Sequence, residues 1–222
     1  MWERALDWVY PPKCALCGSM GRPAICDDCK AEFVACQPVL LGPLGPLDWR
    51  CSLYEFQGRA AQAVKRLKYS RVTSLANPMA RLLAESRSNC PETDVVVPVP
   101  IHRTRRACRG FNQSELLCAG MPQEAVRASL AVRTRKTRPQ VELTAAERMA
   151  NLQGAFLATE GVKGLRVTLV DDVITTGGTA LACAEVLRAA GAIEVGVLTF
   201  CGEKARPTPQ TKIWPTDRPY AD

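Results

Sequence analysis

No run of 18 or more apolar residues occurs in the 222-residue chain, so no transmembrane helix is expected. The opening residues, Met1-Trp2-Glu3-Arg4, carry neither the basic region nor the apolar stretch of a signal peptide. A cytoplasmic protein without membrane insertion is the expectation. Internal repeats and low-complexity tracts are missing as well. Aromatic residues make up only 6 % of the chain, and none falls within the basic clusters Arg103–Arg109 and Arg133–Arg138. Platforms for stacking single-stranded nucleic acid are therefore not evident. His102 is the only histidine, and standing alone in a basic stretch it is weak evidence of a site.

Cysteine and positive charge are plentiful. Eleven cysteines in a chain with no export signal point to reduced thiols or metal ligands rather than disulfides. Cys14-Ala-Leu-Cys17 and Cys26-Asp-Asp-Cys29 are two CxxC pairs eight residues apart, a spacing that suits tetrahedral Zn²⁺. Four thiolates leave no open position, so the expected metal is structural. Cys36 reads as a spare thiol. The formal net charge of +7 suggests an anionic ligand, either a phosphate compound or a nucleic acid.

The length suits one α/β domain with a small appendage. Residues 1–46 read as a zinc knuckle followed by a Pro/Gly-rich linker at 38–46. Residues 47–204 read as the main domain, and 205–222 as a loosely ordered Pro-rich tail. Strands are expected at Cys51–Phe56, Asp94–Pro98, Leu165–Val170 and Val195–Phe200. Helices are expected from about Ala60, from Asn77 as N-cap, over Asn112–Ala119 and over Thr179–Ala190. Strand–helix alternation of this kind implies a mostly parallel, doubly wound sheet.

The stretch from Val167 to Thr179 is the most informative. An apolar strand runs into Asp171-Asp172, then Val173-Ile-Thr-Thr-Gly-Gly-Thr179, then a helix. Glycines let backbone amides crowd an oxyanion, and the helix N-terminus adds partial positive charge. Thr175, Thr176 and Thr179 add hydroxyl donors. Two carboxylates beside a phosphate nest make sense if they accept hydrogen bonds from vicinal ribose hydroxyls while the loop holds a 5′-phosphate. No Gly-Lys-Ser/Thr follows, which excludes a Walker-type loop.

Leu169–Thr179 resembles the 5-phosphoribosyl-1-pyrophosphate (PRPP) signature of type I phosphoribosyltransferases. Val97-Pro-Val-Pro100, Arg109-Gly-Phe-Asn-Gln113, Arg133–Gln140, Arg148-Met-Ala-Asn-Leu152, Gly154-Ala-Phe156 and the cysteine pairs narrow the resemblance to the ComF/GntX-like branch. That branch is linked to use of imported DNA in competence, or to gluconate utilisation. The resemblance implies an α/β type I phosphoribosyltransferase-like fold with an N-terminal four-cysteine zinc knuckle. It gives Asp171 and Asp172 the catalytic, ribose-binding place and assigns the 5′-phosphate to Val173, Thr175, Thr176, Gly177, Gly178 and Thr179. Pyrophosphate, with Mg²⁺, falls to Val99 and to a loop carrying Arg103, Arg105, Arg106 and Arg109. A closing loop would carry Arg133, Arg135, Lys136, Gln140 and Arg148. Cys14, Cys17, Cys26 and Cys29 would bind zinc. Lys65 and Lys68 are further candidates for the site.

Three readings follow. One is a phosphoribosyltransferase that transfers a phosphoribosyl group to an unnamed acceptor and releases pyrophosphate. Another is a regulator that binds PRPP or a nucleotide without turnover. The last is an accessory protein in DNA uptake, with single-stranded DNA or competence proteins as partners. A homo-oligomer is compatible with all three.

Overall fold

Four apolar, β-branched segments form the parallel part of a five-stranded sheet. The structure, a computed structural model, describes residues 11–37, 39–137, 151–152 and 154–203. In chain order the strands are β1 (Leu40–Leu41), β2 (Trp49–Glu55), β3 (Val95–Pro98), β6 (Arg166–Ile174) and β7 (Glu194–Gly202), and their spatial order is β1-β2-β7-β6-β3. Strands β2, β7, β6 and β3 are parallel, and β1 lies antiparallel on the edge with Leu40 opposite Cys51. Two further strands, β4 (Ala131–Arg133) and β5 (Phe156–Ala158), pair as a separate antiparallel ribbon.

Both faces of the large sheet are buried, which is why its strands read as nearly continuous apolar runs. Alternate residues serve opposite faces. Trp49, Cys51, Leu53, Val96, Val170, Leu198 and Phe200 share one core with helices α2 (Gly58–Tyr69) and α3 (Ala76–Glu85). Val95, Val97, Val167, Leu169, Val195 and Val197 face the other core, which is closed by Ala180, Cys183, Ala184 and Leu187 of α6 (Gly178–Ala189) and by Phe156 of β5. The cysteine-rich segment sits on the first core. Its short helix α1 (Asp27–Ala31) presents buried Cys29, and Phe33 packs edge-on against Tyr54 and Phe200, with ring centroids 5.0 and 5.9 Å away.

Several elements differ from expectation. Strand β6 continues four residues past the expected end at Val170, so Asp171 and Asp172 lie inside it and not in a surface loop. Pairing overrides the apolar pattern: Asp171 is held opposite Thr199 and Val173 opposite Cys201, so the ladder to β7 runs to Ile174. Helix α3 starts at Ala76, because a 3₁₀ turn at Thr73–Leu75 runs directly into it; Asn77 is therefore within the first turn and makes no cap. The expected arginine loop is helix α4 (Arg103–Arg109), with the His102 ring accepting from the Thr104 N–H at its start and Gly110 at its end. Leu40–Leu41, within the Pro/Gly-rich segment, joins the sheet as its edge strand. The segment 205–222 lies outside the described residues.

Gly196 on β7 lies against the indole of Trp49, and a Cβ there would fall 1.9 Å from Cε2 of that buried ring. Trp49 is further fixed by donating from Nε1 to Glu194 Oε1 at 2.8 Å, so it has no easy retreat. Gly196→Ala should destabilise the protein by at least the ~1–3 kcal/mol typical of overpacking, measured as a urea-denaturation midpoint. A midpoint within error of the wild type would refute the close packing.

Candidate functional site

Parallel pairing carries the C-terminal ends of β2, β3, β6 and β7 to one edge of the sheet, where open α/β sheets place their ligands. A cleft of about 650 Å³ opens there. Its floor is Asp171, Asp172 and Val173 of β6, followed by the turn to α6 through Thr175, Gly177, Gly178 and Thr179. Gly177 has φ +78°, a left-handed conformation that suits glycine, and Gly178 opens α6. A Cβ on Gly177 would meet Leu44, Ile174 and Leu181 at 3.3–3.7 Å. The harm of a larger residue there comes from backbone strain and apolar crowding. Thr175 and Thr176 are exposed, and Thr176 does not line the cleft.

Both acids are buried, Asp172 at 1 % exposure and Asp171 at 9 %. Asp172 forms an ion pair with Lys68 Nζ at 2.8 Å. Asp171 Oδ1 accepts from Ser114 Oγ and from the Asp172 N–H, both at 2.9 Å. Burial, then repulsion by Asp172, pushes the Asp171 carboxyl up to about 7, with Lys68 opposing. For Lys68, burial favours loss of the proton, but the two carboxylates outweigh it and raise the ammonium above its ordinary value.

Helix α4 divides the four expected arginines. Arg105 and Arg109, one turn apart, line the cleft together with Val99, whereas Arg103 and Arg106 do not. Arg106 turns instead to Glu115, 2.6 Å away. Arg133 also lines the cleft. Its guanidinium stands 5.0 Å from the Phe156 ring centroid, donates from Nη2 to Thr137 Oγ1 at 2.5 Å, and keeps a buried Nε without a partner among the described residues. Arg135 donates to the Asn151 carbonyl at 3.0 Å, and neither it nor Lys136 lines the cleft. Gln140 and Arg148 lie outside the described residues. With Lys65 and Lys68 of α2, five cations face three carboxylates, Asp171, Asp172 and Glu203.

Sequence reasoning missed the residues that hold the floor in place. Asn112 caps helix α5 (Gln113–Leu117) by accepting from the Ser114 N–H at 3.1 Å, and its amide donates to the Val99 carbonyl at 3.1 Å. Ser114, at the same cap, reaches Asp171. The Arg-Gly-Phe-Asn-Gln motif marked the region, but nothing in it announced a bond to a strand 57 residues away. Gln113, at the end of that motif, also lines the cleft, as do Phe56 and Tyr69, which carried no prior signal.

At the other end of α2, the sulfurs of Cys14, Cys17, Cys26 and Cys29 lie within 4.8 Å of one another. Cys14–Cys29 and Cys17–Cys26 are 3.8 and 3.7 Å apart. A tetrahedron with Zn–S bonds of about 2.3 Å has edges of about 3.8 Å, so the preformed cluster fits zinc.

Residues 111–216 match the family model described as phosphoribosyl transferase domain, and residues 5–39 match that described as double zinc ribbon domain. The DNA utilization protein YhgH of Salmonella typhimurium is 32 % identical over 206 residues, covering 85 % of this chain and 89 % of the relative. Its Salmonella typhi counterpart is 35 % identical over 167 residues, covering 70 % and 74 %. This chain belongs to the ComF-like family. Competence protein F of Haemophilus influenzae is 31 % identical over 146 residues, covering 60 % of this ComF-like chain and 64 % of the relative. The protein thus has a type I phosphoribosyltransferase fold with a structural zinc site, and among the described residues that site is a single four-cysteine cluster. No helix among the described residues is long and apolar enough to cross a membrane.

Freshly purified, reduced protein should hold about one zinc per chain, and Cys14→Ser with Cys17→Ser should release it; metal-free wild-type protein by elemental analysis would contradict this. Asp171 yields a separate pH signature. Its folded value of about 7 exceeds the unfolded value of about 4, so the folded state binds the extra proton between them. Its contribution makes stability fall as pH rises from about 4 to about 7 and level off above that. Subtracting the stability–pH curve of Asp171→Asn from that of the wild type should isolate this fall. A flat difference would show that the carboxyl is not raised.

Proposed function

We propose that this protein binds PRPP and transfers its phosphoribosyl group with release of pyrophosphate. The carrying observation is the juxtaposition at one sheet edge of a helix-opening phosphate turn, two buried acids and the cations Arg105, Arg109, Arg133, Lys65 and Lys68. A ligand with phosphate at both ends and a hydroxylated sugar between them matches that order of charges. On this reading the 5′-phosphate lies against Thr175, Gly177, Gly178 and Thr179, where amides and the N-terminus of α6 meet it. The ribose hydroxyls lie on Asp171 and Asp172. Arg105 and Arg109 take the pyrophosphate from the Val99–Ile101 side, and Arg133 closes on it from the β4–β5 ribbon.

Positioning and charge would carry the catalysis. Breaking the C1′–oxygen bond leaves positive charge on the ribose and increases negative charge on the departing pyrophosphate. On this reading the acids face the ribose and the arginines the pyrophosphate, so fixed charges stabilise both parts. Mg²⁺ entering with PRPP would neutralise part of the pyrophosphate charge. The four-cysteine ribbon and the segment through residue 46 stay outside this chemistry, although they pack on the sheet that carries it. The relatives' names, DNA utilization and competence, support a role in the use of imported DNA and leave the acceptor open.

Arg105→Gln with Arg109→Gln should weaken PRPP by tenfold or more and ribose 5-phosphate far less, since each charge-assisted hydrogen bond is worth ~1.5–3 kcal/mol. Arg103→Gln, off the cleft and outside the ties that place α4, should leave both ligands within about twofold. Calorimetry that gives equal losses in the double variant and in Arg103→Gln would overturn the pyrophosphate assignment. Asp171→Asn with Asp172→Asn should cost PRPP roughly 2–4 kcal/mol of affinity, compared at matched folded fraction because both acids are buried. PRPP binding without pyrophosphate release across a panel of nucleobases and amines would identify a binding regulator instead.

A further inference from the structure

Helix α4 brings two arginines to the cleft, yet none of its residues is buried. A seven-residue helix is marginal alone, so polar ties must place it. The His102 cap is internal to the helix, and Arg106–Glu115 and Arg109–Gln113 both lead forward to the α5 region. Arg71 reaches it from just past the end of α2, the helix that carries Lys65 and Lys68. Its Nη2 donates to the Cys108 carbonyl, in the last turn of α4, where carbonyls lack helical partners.

Arg71 is also a backbone outlier. It follows the end of α2 with φ +55°, the only non-glycine residue at positive φ among the described residues. The Val72 N–H folds back to the Arg66 carbonyl at 3.2 Å, closing the helix. Glycine is the usual residue at such a stop, because an L side chain is strained there. The chain carries an arginine at a position where folding alone favours glycine, and that arginine spans from the Lys65–Lys68 wall to the Arg105–Arg109 wall.

We infer that Arg71 is a positioning residue that clasps α4 to the end of α2 and holds Arg105 and Arg109 ready for the pyrophosphate group. The ligand named here rests on the proposed function. Without the clasp, α4 would have to be ordered on binding, and apparent affinity would fall by the fraction of time it is in place. The loss should fall on ligands with pyrophosphate and spare those with only the 5′-phosphate.

Arg71→Gly separates this role from a structural one. It removes the clasp and relieves the strained φ, so the melting temperature should stay level or rise. Hydrogen exchange of the 104–109 amides in ligand-free protein should quicken, by about tenfold for the loss of one hydrogen bond to a carbonyl. PRPP and inorganic pyrophosphate should weaken by a similar factor, with ribose 5-phosphate within about twofold. Arg71→Lys keeps one donor and should recover part of both effects. Wild-type exchange over α4 in Arg71→Gly would sink the clasp. Faster exchange with an unchanged preference for PRPP over ribose 5-phosphate would sink its role in binding. If the wild type binds neither PRPP nor pyrophosphate, the phosphoribosyl reading and the ligand part of this inference fall together, and exchange over α4 alone decides the clasp.

Discussion

The buried ion pair between Lys68 and Asp172 is the contact on which the cleft depends. It joins α2 to the interior strand β6 at the point where two adjacent carboxylates lie at the end of the sheet. Two neighbouring acids out of water repel each other and lose hydration, as the upward shift of Asp171 records. Lys68 offsets part of that cost, and Ser114 supplies a hydrogen bond to Asp171. Removing either partner of a buried pair leaves the other uncompensated, which is more damaging than the pair is stabilising. The acidic floor of the cleft is therefore held by α2 and α5 together.

Helix α2 serves two sites through two faces. Lys65, Lys68 and Tyr69 line the cleft. Arg59 and Arg66, two turns apart, donate to the carbonyls of Leu16 and Ala15, which lie inside the first CxxC pair. Between these faces, Ala60, Ala63, Val64 and Leu67 are buried against the sheet. The cysteine cluster thus shapes two backbone acceptors that help hold the helix from which Lys68 projects. Metal site and cleft share this rod without sharing a ligand.

The local signals were legible wherever one segment carried the whole instruction. The four cysteines fall in two short pairs, so their meeting needs little long-range information. The apolar runs at 95–97 and 195–200 gave strands because burial on both faces leaves no polar positions to confuse the pattern. Asp171 and Asp172 were legible as site residues but not as strand residues, because their place in the ladder is fixed by Thr199 and Cys201 on β7. The arginine stretch read as a loop since it has no apolar face; it is helical through a cap, a glycine stop and ties to other elements. Ser114 and Arg71 were illegible, since each acts through a tertiary bond that no local pattern encodes.

The zinc-bearing segment is continuous with the core of the main domain. A segment of this length buries too little apolar surface to fold alone, and zinc fingers of similar size are unfolded without metal. Here Leu16, Ile25 and Phe33 lie in the same core as Trp49, Leu198 and Phe200, so the sheet supplies the surface that the segment lacks. Zinc on the four sulfurs would fix the loop geometry, and the core fixes where that loop sits. The Ala15 and Leu16 carbonyls thus take their direction from the turn between the cysteines, tied by Ala15 N–H to the Ala24 carbonyl, and their position from the core that includes Phe33. Both requirements converge on Arg59 and Arg66. The helix that lines one side of the cleft is thus held in part by an element that does not line it.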